Sequence, residues 1–475
     1  MIINSMVIKK NIPTKSIQSG DKFGDFCDWG IVFSVCVLIF VLPVSIAYLD
    51  SFAALAVFFY LLKKINRIII DWPSRTSNLS LLYKIHFVWK GFAPPVNFLN
   101  RPLQFFILAV FISVLLSQYP GLSAMAFVGK LLKCVFLYFS FIEAFSDQKR
   151  VHIFLNFFLL AAFVTALSGL VQHYTGRDFL KGHLIGTQDF VSTHRISSSF
   201  FGANGFGAYL LPIIAFVAHL LYSAVGRKKS WVLAVGVTFF LFLLLACLCW
   251  TYSRSSWVGY LVILFVMTWM DRRKIFYAGA LLLIFILIFL PSLSNVRHEG
   301  LISDYKEGVQ IERIQKEGIQ KERIQKKASV LSVMEQGGSG RLGFWKKAIS
   351  IIRSSPVYGT GLNTYTRIIK RNPDQKTWWY AHNCYLQMAA ETGLLGLTCF
   401  LWMVFVLLRQ GLNHCRHIKD SWPLTILQGA VAGLFGFLAQ SFFDNTFYTV
   451  QLGVLMWLLF GLTMTVMRLN PPEPK

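Results

Sequence analysis

Four cations, Arg195, Arg254, Arg341 and His382, stand in short polar stretches of a chain that is otherwise mostly apolar. Charge beside lipid is costly, and ionisable residues in or against spanning helices usually mark a substrate path, so the set asks for an anionic substrate. A guanidinium is permanently charged and offers a planar fork of donors suited to phosphate oxygens. Two or three such groups can replace a divalent metal at an anionic group. A histidine titrates near neutrality and is suited to take the proton of an attacking hydroxyl. Metal chemistry has no sequence support: there is no Asp-x-Asp pair and no His-Glu-x-x-His. The eight cysteines lack metal-ligand or disulfide spacing.

Other residues stand close to this set in the chain. Lys130 and Lys133 lie inside an apolar run and, three apart, share a helix face. Either they pair with buried carbonyls, or they line a groove that receives the anion. Asn204 and Asn383 are expected to orient loops through local backbone bonds. Glu391 falls about 13 Å along a helix from His382, at 1.5 Å per residue, and is expected to pack helices or orient a loop. His173, His183 and His194 are the other candidates for a base, and Asp50 is the one carboxylate candidate.

The elements that must position these residues are membrane helices. The chain has 475 residues, 55% of them hydrophobic and 16% aromatic, with mean hydropathy +0.55, which suits a polytopic all-α membrane protein and excludes a soluble enzyme with an anchor. Apolar runs long enough to cross hydrocarbon number about twelve. They are 31–48, 52–65, 103–117, 122–145, 151–173, 203–225, 231–250, 255–270, 275–291, 383–408, 424–443 and 450–467. The second is short, and its terminal Lys63, Lys64 and Arg67 are expected to snorkel to headgroups. Basic residues mark every second connection, which places both termini in the cytoplasm and the four cations on the outer face. The first thirty residues lack the order of a cleaved signal, so the first span is expected to be a retained insertion signal. The net charge of +24 is explained by this topology and by anionic lipid, and no nucleic-acid module is recognisable.

Two outer connections are long, 174–202 and 292–382. The chain therefore divides into a membrane region of about nine spans over 1–291, an extracytoplasmic helical subdomain over 292–382, and three C-terminal spans over 383–475. The subdomain contains a tandem decapeptide over 307–326, too few copies for a solenoid and expected to be an exposed arm. After Gly337-Gly338-Ser339-Gly340 comes an amphipathic stretch from Arg341 to Ser354, suited to the membrane surface. Arg341 either starts that helix or joins the anion site.

Four motifs stand in order: Arg195-Ile-Ser-Ser-Ser-Phe-Phe-Gly-Ala-Asn204, Ser253-Arg254-Ser-Ser-Trp-Val-Gly259, Arg341-Leu-Gly-Phe-Trp345, and His382-Asn383 with Glu391-Thr-Gly-Leu-Leu-Gly396. Together with the topology they resemble the O-antigen ligase and polymerase superfamily. One departure is that Gly202-Ala203-Asn204 keeps only the last Asn of a Phe-x-Asn-Pro-Asn pattern. The resemblance implies an inverting, metal-independent glycosyltransferase without cofactor. Its donor would be an undecaprenyl-diphosphate-linked saccharide at the outer face of the bacterial cytoplasmic membrane. It implies diphosphate binding by Arg195 and Arg254, and His382 as the base toward a lipid or glycan acceptor.

Ligation of a glycan to lipid A-core, repeat-unit polymerisation and protein O-glycosylation share this donor chemistry, and the topology favours the first. A transporter or flippase of a lipid-linked anion is the reading from another class. It calls for charges near the midplane and two related halves.

Overall fold

The computed structural model describes residues 22–72, 81–181, 195–226, 231–288, 340–369, 380–418 and 421–471. The decapeptide over 307–326, His183 and His194 lie outside the described residues. Within them the chain is all-helical, with fifteen helices and no strand. In order they are α1 (Lys22–Val41), α2 (Ile46–Asp71), α3 (Leu81–Phe92), α4 (Asn100–Leu115), α5 (Pro120–Ala144), α6 (Gln148–Thr175), α7 (Ala203–Gly226), α8 (Trp231–Trp250) and α9 (Arg254–Met270). Then follow α10 (275–288), α11 (Gly340–Ser354), α12 (Tyr365–Ile368), α13 (Cys384–Cys415), α14 (Ser421–Gln440) and α15 (Val450–Leu469).

Nine of these are long and apolar enough to cross a membrane, and α4 and α9 are shorter apolar helices. The chain is a polytopic helical membrane protein. Its core is continuous: α14 packs between α7 and α9, α13 lies against α4, and α15 lies against α5. At the α9–α14 crossing a Cβ on Gly259 would sit 2.7 Å from the carbonyl oxygen of Gly436. Small residues bring the two backbones together there, as is usual where helices associate in lipid.

The first hairpin differs from the reading of the sequence. The chain turns at 42–45 rather than after Tyr48, because Pro43 lacks the N–H that would continue α1. Ser45 then caps α2, accepting the N–H of Tyr48 at 3.4 Å. Helix α2 is consequently 26 residues long, not short, and Asp50 sits inside it rather than in a loop. Lys63 and Lys64 do not snorkel; they pair with Asp28 and Glu143, each at 2.5 Å. Helix α3 is a twelve-residue helix that the apolar runs do not reveal.

Candidate active site

Arg195, Asn204, Arg254, Arg341, His382 and Asn383 gather at one end of the bundle, where α7, α9, α11 and α13 begin and α14 ends. Asn383 is the N-cap of α13, its Oδ1 accepting the N–H of Tyr385 at 2.9 Å and of Leu386 at 3.0 Å. This cap fixes the preceding residue, His382, whose φ is +49°. A non-glycine residue in that region is strained, and such strain concentrates at functional sites. Three others share it: Ser198, Tyr252 and Asn363. They lie in the loops that carry Arg195, Arg254 and the turn beside α13, so the unusual backbone of this structure is concentrated at this end.

Sequence reasoning did not single out Asp444. Its Oδ1 lies 3.6 Å from Nδ1 of His382, and its side chain is 16% exposed. Burial pushes the Asp444 carboxyl up, but the His382 imidazole, the N–H of Asn445 and the amide of Asn204 outweigh it and hold it below the usual carboxylate range. An ionised Asp444 favours the tautomer of His382 with its proton on Nδ1, which directs the basic Nε2 away. The separation is longer than a hydrogen bond. Such pairs often tighten only when substrate binds.

Asn204 connects this pair to Arg195. Its Oδ1 accepts Nη2–H of Arg195 at 2.9 Å, and its own carbonyl accepts the amide of Gln440 at 2.9 Å. Its side chain therefore bonds other side chains, not the local backbone as expected. Arg195 donates Nε–H to the Thr251 carbonyl at 2.9 Å, which ties it to the turn leading into α9. Gln172 holds the backbone on the other side, accepting the N–H groups of Ser197 at 3.0 Å and Ser198 at 2.6 Å.

Arg254 occupies the first position of α9 after the cap residue Ser253. It is exposed, and no hydrogen bond or ion pair among the described residues engages its guanidinium. Arg341 lies in the first turn of α11, three residues before Phe344, whose ring is 5.4 Å from that of His382. Residues three apart share a helix face, so α11 brings Arg341 to the His382 side. Trp345 packs edge-on to Phe442 at 5.8 Å, docking the helix on the loop that bears Asp444. Of the other histidines, His173 stacks flat on Trp250 at 3.9 Å.

Glu391 turns toward a loop instead of His382. Fully buried, it accepts the N–H of Asn363 at 2.8 Å, the N–H of Tyr365 at 3.3 Å and the amide of Gln387 at 3.2 Å. The loop it holds crosses a break in α13 at Gly393, where φ is 70° and ψ 176°. Thr360 N–H donates to the Ala390 carbonyl at 3.1 Å and Gly361 N–H to that of Glu391 at 2.9 Å, while Leu394 N–H donates to the Pro356 carbonyl at 2.8 Å. The freed backbone groups of a broken helix are thus satisfied by protein. A Cβ at Gly393 would meet the Val357 carbonyl at 2.0 Å, so only glycine fits.

The two lysines lie apart from the arginines. Lys130 donates to Asn363 Oδ1 at 2.8 Å, and Lys133 pairs with Asp50 at 2.5 Å. Asp50 is therefore the partner of a lysine. Among the described residues no group of three His, Cys, Asp or Glu is arranged to hold a metal ion.

Residues 239–401 match the O-antigen ligase family. The matched stretch contains Arg254, Arg341, His382, Asn383 and Glu391, while Arg195, Asn204 and Asp444 come to it through the fold. No curated protein matches the chain. Over 239–401 this polytopic helical membrane protein is similar to the O-antigen ligase family, which supports a place in the O-antigen ligase superfamily.

Proposed function

We propose that this protein transfers a saccharide, with inversion and without a metal, from an undecaprenyl-diphosphate-linked donor to an acceptor hydroxyl at the periplasmic face of the inner membrane. The observation that carries the proposal is the chain of contacts from His382 through Asp444 and Asn204 to Arg195. It links the His382 imidazole, through two side chains, to a guanidinium that is held in place. His382 Nε2 takes the acceptor proton as the acceptor oxygen bonds to the anomeric carbon. The bond from that carbon to the diphosphate breaks, and the electron pair leaves with undecaprenyl diphosphate.

Arg195 and Arg254 stabilise the charge that develops on the leaving oxygens, and Arg341 closes the site from α11. Asp444 positions the imidazole and stabilises its protonated form. Three buried polar atoms at this place, Asn383 Nδ2, Asn445 Oδ1 and Gln440 Oε1, have no partner among the described residues. Buried polar atoms are rarely left unpaired, and sugar hydroxyls or ordered water suit them.

The acceptor we favour is lipid A-core, which makes the enzyme an O-antigen ligase. Polymerisation of repeat units and glycosylation of a protein hydroxyl use the same donor steps. The test is to incubate purified protein with undecaprenyl-diphosphate glycan and each acceptor in EDTA, and to determine the anomeric configuration of the product. Transfer with inverted configuration supports the reading. Retained configuration, or activity that EDTA removes and a divalent metal restores, contradicts it.

A further inference from the structure

His382 and Asp444 belong to different elements, yet one buried residue is tied to both. Cys384 opens α13, just after His382 and the cap residue Asn383. Its N–H donates to the Ser441 carbonyl at 2.9 Å, and its thiol donates to the Asp444 carbonyl at 3.2 Å. The backbone that carries the carboxylate is therefore held by the same turn that carries the imidazole.

Ser441 and Thr446, both buried, complete the contact. The Cys384 thiol lies 3.8 Å from Thr446 Oγ1, and the two hydroxyls are hydrogen-bonded to each other. The direction of each proton follows. A carbonyl oxygen only accepts, so the Ser441 hydroxyl donates to the Phe437 carbonyl at 2.8 Å. Toward Thr446, Ser441 Oγ can then only accept, and the Thr446 hydroxyl is the donor. Cys384 thus holds residue 444, Thr446 holds residue 441, and Ser441 holds the last turn of α14.

Replacing bonded polar groups by apolar ones of the same shape is often nearly neutral for stability. A thiol and two hydroxyls are therefore not needed merely to fill this space. What a satisfied polar network adds is one fixed arrangement. Here the arrangement that it fixes is the 441–446 loop against the start of α13.

We propose that Cys384, Ser441 and Thr446 are positioning residues that clasp the 441–446 loop and hold Asp444 opposite His382, so that the spacing of the pair is set from behind the site. Their effect on rate rests on the transfer reading; their effect on His382 does not.

The test uses the purified full-length chain with Cys384→Ala, Cys384→Ser or Thr446→Val, each alone and combined with Asp444→Asn. Two quantities are read. One is kcat and KM for transfer, and the other is the pH profile of His382 modification by diethyl pyrocarbonate, mapped by mass spectrometry. The His382 side chain is 40% exposed and open to the reagent, which takes the neutral imidazole. A nearby carboxylate favours the charged imidazole, so a carboxylate that has moved away shifts the profile to lower pH. Arg195, Arg254 and Arg341, the other charged groups brought to this end, are the same in every variant.

Cys384→Ala and Thr446→Val are expected to lower kcat about tenfold with KM near that of wild type, the scale of a misplaced catalytic group. Their modification profiles move to lower pH, as that of Asp444→Asn does. Cys384→Ser keeps a donor and restores both readouts. In the Asp444→Asn background the same substitutions cost little more, because the group that they position has lost its charge. Wild-type modification profiles in monodisperse Cys384→Ala and Thr446→Val, or equal losses in both backgrounds, overturn the proposal. A wild type that transfers no glycan removes the transfer reading, and the modification profiles then decide the clasp alone.

Discussion

His382 and Asp444 make distinct predictions at the scale of residues. Removing a base that acts in the transition state lowers transfer by about 10²- to 10⁴-fold, so His382→Ala is expected to lose activity in that range while donor binding persists. Asp444→Asn keeps the shape but removes the charge, and is expected to lower kcat about ten- to a hundredfold with little change in KM. The same substitution has a pH signature. The Asp444 carboxyl is held below its ordinary value in the folded protein, so its stabilisation is complete above the unfolded-state pKa, about 4, and is lost as pH falls through the lower folded value. The difference in Tm between wild type and Asp444→Asn therefore shrinks as pH falls below about 4. A difference that grows on acidification would contradict the assignment. His382 was legible because it stands in a His-Asn pair before an apolar run. Asp444 was not, since an acid in Ser441-Phe-Phe-Asp-Asn445 has no spacing that relates it to His382, and only the packing of α13 on α14 joins them.

The site rests at the scale of elements on a helix that is broken and repaired. Hydropathy reads α13 as one continuous span, because Leu394, Leu395 and Leu397 remain apolar across the break. What hydropathy does not carry is the non-local repair, in which the 356–364 loop and Ser113 Oγ, bonded to the Glu391 carbonyl at 2.8 Å, satisfy the open backbone. Gly393→Ala puts a methyl group into the Val357 carbonyl and a non-glycine residue at positive φ. It is expected to destabilise the protein by about 1 to 3 kcal/mol, read as a lower Tm or loss of folded protein from detergent extracts. Wild-type stability in that variant would show that the break is dispensable. Hydropathy places the first turn at the polar Tyr48-Leu-Asp50-Ser51, whereas the chain turns at 42–45, where Pro43 ends α1. Asp50 tolerates its position in α2 because Lys133 neutralises it.

Topology decides on which side of the membrane the whole molecule works. The apolar runs and basic connections were legible because every membrane helix must satisfy its own backbone and bury apolar side chains. The order of packing was not, since nothing in the composition of α14 says that it lies between α7 and α9. The proposed orientation predicts that, in a background without the native cysteines, Tyr358→Cys is labelled in intact cells by a membrane-impermeant thiol reagent. Arg416→Cys is labelled only after the membrane is opened. The reverse pattern would put the site on the cytoplasmic face and remove the proposed reaction.

The most direct measurement is the single-turnover rate of glycan transfer in EDTA, with donor binding determined separately, for wild type, His382→Ala, Asp444→Asn and Arg195→Ala. The account predicts that wild type transfers. His382→Ala binds donor but fails in the chemical step, Asp444→Asn is slowed in that step, and Arg195→Ala loses both donor affinity and rate. Wild-type rates in His382→Ala would contradict it.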